Sequence, residues 1–189
     1  MAKLGANDLR KRVKLLIEGQ PHVILESDFV KPGKGQAFTR VRVRNYINGK
    51  IFERTYKSTD TAESCEVISK KVTYQYNDGS TWFFMDMGSF ETIEVSKETM
   101  GDVAQWLQDG NECDVTIWEG QVLEVVPPIF LIYTVVEAPP AERGDTSGRV
   151  MRAAKIDTGA TVQIPLFVEV GEKIKVDTRT GEYVERAKS

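Results

Sequence analysis

The chain has 189 residues, of which 41% are hydrophobic and 28% charged, with a net charge of -3 at neutral pH. That length holds one domain or two or three small ones, and it carries neither a membrane-spanning apolar run nor the apolar core of a signal peptide. Two cysteines (Cys65 and Cys113) without metal-ligand spacing argue against a disulfide or zinc framework, and one histidine (His22) leaves Ser-His-Asp or Cys-His catalysis without its parts. We therefore expect a cytoplasmic protein that is not an enzyme, binds no metal and spans no membrane.

Residues 23–30 form an apolar-rich run, and Arg40-Val41-Arg42-Val43-Arg44 alternates with period two. The valines of the second run face one side of a strand and the arginines the other. Between the two runs lies Lys31-Pro32-Gly33-Lys34-Gly35-Gln36-Ala37-Phe38. This reads as a tight loop joining two strands, with Pro32 fixing its own φ and two glycines open to backbone angles that other residues avoid. Lys34 sits between the glycines with nothing beside it to shield it. A turn that only reverses the chain more often carries Asn-Gly or Asp-Gly, so this tip is read as placing an amine. It is not a phosphate-binding P-loop: position 28 is Asp where a glycine is needed, position 35 is Gly where Ser or Thr is needed, and a strand follows instead of a helix.

Charge is unevenly distributed. Residues 1–64 hold 13 Lys+Arg against 7 Asp+Glu, residues 65–127 hold 3 against 12, and residues 128–189 hold 9 against 9. A basic first third with Arg40, Arg42 and Arg44 on one strand face has the electrostatic footprint of a nucleic-acid binder. The acidic middle third would be repelled by bare nucleic acid and must face away from it or meet basic protein. A ribosome offers both surfaces.

Further along, turn signals recur at Glu18-Gly19, Asn48-Gly49, Asn77-Asp78-Gly79, Glu119-Gly120, Asp157-Thr158-Gly159 and Thr180-Gly181. Short β-rich runs lie between them at residues 72–76, 81–85, 113–118 and 162–164. This spacing predicts small all-β barrels, and the middle and last thirds each suit a five-stranded OB-type barrel. One helical pattern competes over residues 96–109. Ser96 is its N-cap, and a break is expected near Gly101-Asp102 with only a short helix after it. Trp82-Phe83-Phe84 is read as core in preference to a base-stacking platform.

The loop over residues 31–38, Lys57-Ser58-Thr59-Asp60, Tyr76-Asn77-Asp78-Gly79, Gly101-Asp102 with Trp106-Leu107, and Asp177-Thr178-Arg179-Thr180-Gly181-Glu182-Tyr183 together resemble bacterial translation elongation factor P. The resemblance spans essentially the whole chain in order. It departs at Arg152, where the family usually has lysine, and at Ile164, where valine usually precedes the proline. It implies three domains: a KOW/SH3-like barrel over residues 1–64 bearing the Lys34 loop, an acidic OB barrel over 65–127 and a second OB barrel over 128–189. These would form an L with the outline of a tRNA.

The resemblance also implies a function. Such a factor would bind the 70S ribosome between the peptidyl and exit sites, beside prolyl peptidyl-tRNA, and relieve stalling at consecutive prolines. Lys34 matches the position that carries a lysine-derived extension, β-lysyl and sometimes hydroxylated, added by a lysine-modifying enzyme; no other cofactor is implied, and the factor would be monomeric. Lys31, Pro32, Gly33, Lys34, Gly35, Gln36, Arg40, Arg42 and Arg44 would contact tRNA or ribosome, as would Gly101, Asp102, Tyr183 and Arg186. Tyr183 reads equally as a strand aromatic packing on Val176. Two other classes are a general RNA- or transcription-complex-binding barrel protein, for which Lys34 would be dispensable, and an enzyme using Lys34 as a nucleophile. The second would need a desolvating pocket, which two flanking glycines oppose.

Overall fold

The computed structural model describes residues 2–140 and 150–188. Nearly all of its regular structure is strand, arranged in three antiparallel sheets. By compactness the chain divides into two units, Met1–Ser69 with Thr116–Glu124, and Lys70–Val115 with Val125–Ser189.

The first sheet has six strands: β1 (Lys3–Gly5), β2 (Lys14–Ile17), β3 (Gln20–Val30), β4 (Phe38–Asn45), β5 (Ile51–Lys57) and β6 (Thr61–Ser64), in the order β1-β6-β2-β3-β4-β5. The period-two reading of β4 holds residue by residue. Thr39, Val41, Val43 and Asn45 are buried while Arg40, Arg42 and Arg44 are exposed. Leu9, Leu15, Ile24, Val41 and Val43 form the centre of this barrel's core. His22 is buried and structural, with Nδ1 2.8 Å from the Gln20 carbonyl oxygen and its ring edge-on to Phe52. Lys14 pairs with Glu124 at 3.6 Å.

The second sheet contains β7 (Ile68–Asn77), β8 (Thr81–Asp86), β9 (Thr92–Ser96), β10 (Glu112–Trp118) and β11 (Gln121–Val126), ordered β11-β10-β7-β8-β9. The third contains β12 (Phe130–Glu137), β13 (Met151–Ile156), β14 (Thr161–Pro165), β15 (Lys173–Asp177) and β16 (Glu182–Arg186), ordered β14-β13-β12-β15-β16. Numbered within its own sheet, each has its first strand at the centre, the second and third on one side and the fourth and fifth on the other. The two sheets share one topology, that of an OB-type barrel.

The expected helix forms and breaks where the glycine predicts. Ser96 caps α1 (Lys97–Met100), its hydroxyl accepting from the Thr99 amide at 3.3 Å. Gly101 then takes φ +52°, and a 3-10 turn follows over Gly101–Trp106. That turn delivers Trp106 into the core of the third sheet, beside Tyr133, Val135, Val162 and Val176. The Tyr133 hydroxyl donates to the Trp106 carbonyl at 2.6 Å, and the Gln108 side-chain amide reaches the Ile132 carbonyl at 3.3 Å. Thr178 Oγ1 donates to the Pro128 carbonyl at 2.7 Å, bracing the Pro127-Pro128 segment.

The aromatic cluster splits by strand parity. Trp82 and Phe84 are buried, as expected of core, whereas Phe83 lies on the outer face stacked on exposed Tyr76 with ring centroids 4.6 Å apart. Arg152 makes use of its fork, donating to the Pro139 carbonyl at 2.8 Å and the Val168 carbonyl at 2.6 Å. A lysine has no planar fork to bridge two carbonyls in this way.

Candidate functional site

The β3–β4 hairpin is built by eight cross-strand pairs, from His22 opposite Asn45 to Val30 opposite Phe38. Seven residues, 31–37, connect its ends. Lys31, Gly33, Lys34, Gly35 and Gln36 are exposed, while Pro32 and Ala37 are half-buried. Among the described residues Lys34 has no hydrogen-bond or ion-pair partner, so its ammonium is available to a ligand. The two glycines differ. Gly35 has φ +128°, where an L side chain is strained, and a Cβ there would lie 3.5 Å from Pro32 Cγ. Gly33 lies outside that region and a Cβ on it would meet nothing within 4 Å. Only Gly35 is required by the loop's own geometry.

A second turn buttresses the loop. The Ser58 amide donates to the Ala37 carbonyl at 3.0 Å, and the Gln36 side-chain amide reaches Ser58 Oγ at 3.2 Å and Thr59 Oγ1 at 3.5 Å. Asp60 holds that turn in shape, its Oδ2 accepting from the Lys57 amide at 2.8 Å. Gln36, expected as a contact residue, therefore acts first as a clamp on the loop's base. Ser58, Thr59 and Asp60 are the positioning residues that local sequence reading misses, because the loop and its buttress are more than 20 residues apart.

The arginine face is less basic than its sequence suggests. Arg42 pairs with Glu26 at 3.2 Å, and the register sets Arg40 opposite Asp28 and Arg42 opposite Glu53. Arg44 lies over the Tyr46 ring at 5.8 Å. A bulge in β3 between Ile24 and Glu26 brings Glu26 opposite Arg42. One arginine of the stripe is thus ion-paired to an interstrand carboxylate, and Arg40 has a second carboxylate opposite it in register.

The remaining expected contacts belong to the second unit. Gly101 and Asp102 are exposed at the helix break. Tyr183 stands opposite Val176 and packs on the core of the third sheet, the structural alternative entertained for it. Arg186 is held by Glu172 at 3.4 Å and lies over the Phe167 ring at 5.2 Å.

Both cysteines are buried, and burial pushes the Cys113 thiol up to about 12 and raises Cys65, so both stay protonated near neutral pH. Among the described residues no group of three His, Cys, Asp or Glu is placed to hold a metal ion. No helix among them is long and apolar enough to cross a membrane.

Three family models match along the chain. The KOW-like domain of elongation factor P (EF-P) matches residues 5–62, its OB domain residues 67–125 and its C-terminal domain residues 132–186. The chain belongs to the elongation factor P family. It is therefore a translation elongation factor with a KOW-like barrel followed by OB-type barrels. Two solved structures are similar to it. Eukaryotic translation initiation factor 5A from Methanococcus jannaschii is 23% identical with a TM-score of 0.48, covering 66% of this chain and 95% of its own. A translation initiation factor eIF-5A family protein from Naegleria fowleri ATCC 30863 is 18% identical with a TM-score of 0.46, covering 66% and 97%.

Proposed function

We propose that this elongation factor P family member acts in the cytoplasm as a monomer. It binds the ribosome between the peptidyl and exit sites and stimulates peptide-bond formation where consecutive prolines stall it. The observation that carries this reading is the exposed Lys34, without a hydrogen-bond or ion-pair partner among the described residues, on a loop whose base is clamped by a second turn.

The physical task is orientation. Proline's ring fixes φ and its amine is secondary and constrained, so a prolyl peptidyl-tRNA samples unreactive geometries. Holding its CCA end near the attack geometry lowers the barrier without a new chemical group, because the entropy of alignment is already spent. Lys34 supplies an ammonium to phosphate and 2′-hydroxyl oxygens. Pro32 and the Gln36 clamp reduce what the loop loses on binding. Gly33, whose Cβ would meet nothing within the protein, leaves room for RNA to approach the backbone.

An exposed amine with open surroundings also suits a covalent lysine-derived extension, of β-lysyl type and open to hydroxylation, installed by a dedicated enzyme. That extension lengthens the reach of Lys34 along the CCA backbone. The chemistry of peptide transfer stays with the ribosome, and the factor itself is not an enzyme.

The test is a reporter with three consecutive prolines, translated in a reconstituted bacterial system lacking the factor. Protein from native cells restores full-length product and Lys34→Ala restores clearly less. Equal rescue by both would remove Lys34 from the mechanism. No rescue by the native, fully modified protein would overturn the reading and favour a plain RNA-binding barrel protein.

A further inference from the structure

Phe29 stands one residue inside the end of β3 with 57% of its surface in water. Its place follows from register. Phe29 lies opposite Thr39, and Thr39 lies opposite Tyr56, and both of these are buried. The row is core at two positions and open at the third. β2 pairs with β3 only at residues 20–23, so along residues 25–30 no strand of the sheet covers that edge. The ring therefore projects at the root of the Lys34 loop, past the point where the barrel closes.

The charged side chains that follow Phe29 into the loop are cations. Lys31 and Lys34 lie in the loop, whereas Lys57 (opposite Phe38) and Arg40 (opposite Asp28) belong to the other face of the sheet. Asp60 points its carboxylate at the Lys57 amide, and Asp28 is the carboxylate opposite Arg40. A protein partner docking by apolar contact needs a contiguous patch, and here a single exposed ring leads into a loop with two exposed lysines. An exposed ring leading into lysines that have no ion-pair partner among the described residues suits an unpaired nucleic-acid end, the ring taking a base and the cations its phosphates.

We propose that Phe29 stacks on an unpaired base of the RNA 3′ end whose backbone Lys34 holds. The inference rests on the proposed function and adds to it a base contact of the same site. Stacking a base on an aromatic side chain is worth about 5- to 150-fold in affinity by truncation.

The experiment titrates wild type, Phe29→Leu, Phe29→Tyr and Lys34→Ala in the three-proline reporter system. The Lys34 peptide mass and the Tm are measured for every preparation. Phe29→Leu keeps an apolar side chain but loses the π face; it raises the half-saturating concentration about tenfold, with Tm and Lys34 mass unchanged. Phe29→Tyr stays within about twofold of wild type. Wild-type behaviour of Phe29→Leu beside a defective Lys34→Ala overturns the base contact and leaves the wider reading standing. A missing Lys34 mass addition in Phe29→Leu, with full activity once modified protein is selected, assigns the ring to the modifying enzyme instead. Equal defects in Leu and Tyr variants with a lowered Tm assign it to packing. A fully active Lys34→Ala fails the wider reading, and this proposal falls with it.

Discussion

Gly181 closes the turn between β15 and β16 with φ +72°, and it also lies against a ring. A Cβ built on it would stand 3.1 Å from Cζ2 and 3.3 Å from Cη2 of Trp106. That indole is 6% exposed and packed in the core of the third sheet, so it cannot swing aside as a surface side chain would. Gly159, in the turn after β13, is the matched control: its φ is +86° and a Cβ there meets nothing within 4 Å. Gly159→Ala therefore isolates the left-handed backbone cost, about 1–2 kcal/mol. Gly181→Ala adds the cost of overfilling a packed site, about 1–3 kcal/mol more. At about 2–4 °C per kcal/mol for a chain of this size, Gly181→Ala should melt at least about 2 °C below Gly159→Ala by scanning calorimetry. Trp106→Leu supplies the second leg of a double-mutant cycle. It is costly itself, but in its background Gly181→Ala should cost no more than Gly159→Ala. Equal melting of the two alanine variants in the wild-type background, or an excess that survives loss of the ring, would refute the close-approach argument.

Two further predictions follow from the loop and the middle sheet. Gly33→Ala leaves the melting temperature unchanged, so any loss of proline-reporter rescue in that variant reports a ligand lying against the loop; a lowered Tm would contradict the open space around Gly33. Asp86 is the acid-sensitive group to watch. Its carboxylate accepts from Lys70 Nζ at 2.7 Å and from the Gly88 amide at 2.8 Å, which together with the Ser89 amide holds its pKa down at about 2. Because the folded value lies below the unfolded value of about 3.9, this contribution is complete above roughly pH 5 and is lost as pH falls toward 2. Asp86→Asn should flatten the acid limb of a stability-versus-pH curve in that window, and an acid limb parallel to wild type would exclude the ion pair as its source.

Much of the fold is legible locally. The glycine turns, the alternation of β4, the Ser96 cap and the break at Gly101 all arise from forces acting within a few residues. Glu18-Gly19 and Glu119-Gly120 were marked by their glycines, and the structure gives both members of each pair positive φ, as a type I′ hairpin turn demands. The candidate loop was equally visible, because Pro-Gly-Lys-Gly between two strand patterns has few ways to bury its lysine. Harder to read was the charge of the arginine face. Whether Arg42 meets Glu26 depends on a bulge that shifts β3 by one residue, and a strand's own composition does not announce its register.

The sequence alone determined the all-β character, the turn positions and the exposed lysine tip, since these follow from backbone sterics and side-chain periodicity over short spans. Only the tertiary structure decided which glycine of the loop is indispensable, that Gln36 clamps to Ser58 and Thr59, that Phe83 turns outward from Trp82 and Phe84, and that Trp106 leaves its own sheet's helix break to complete another core. Each of these joins residues whose meeting depends on strand register and barrel closure. Those are properties of the whole packed chain, settled by which apolar faces can be buried together, and no short window of residues contains them.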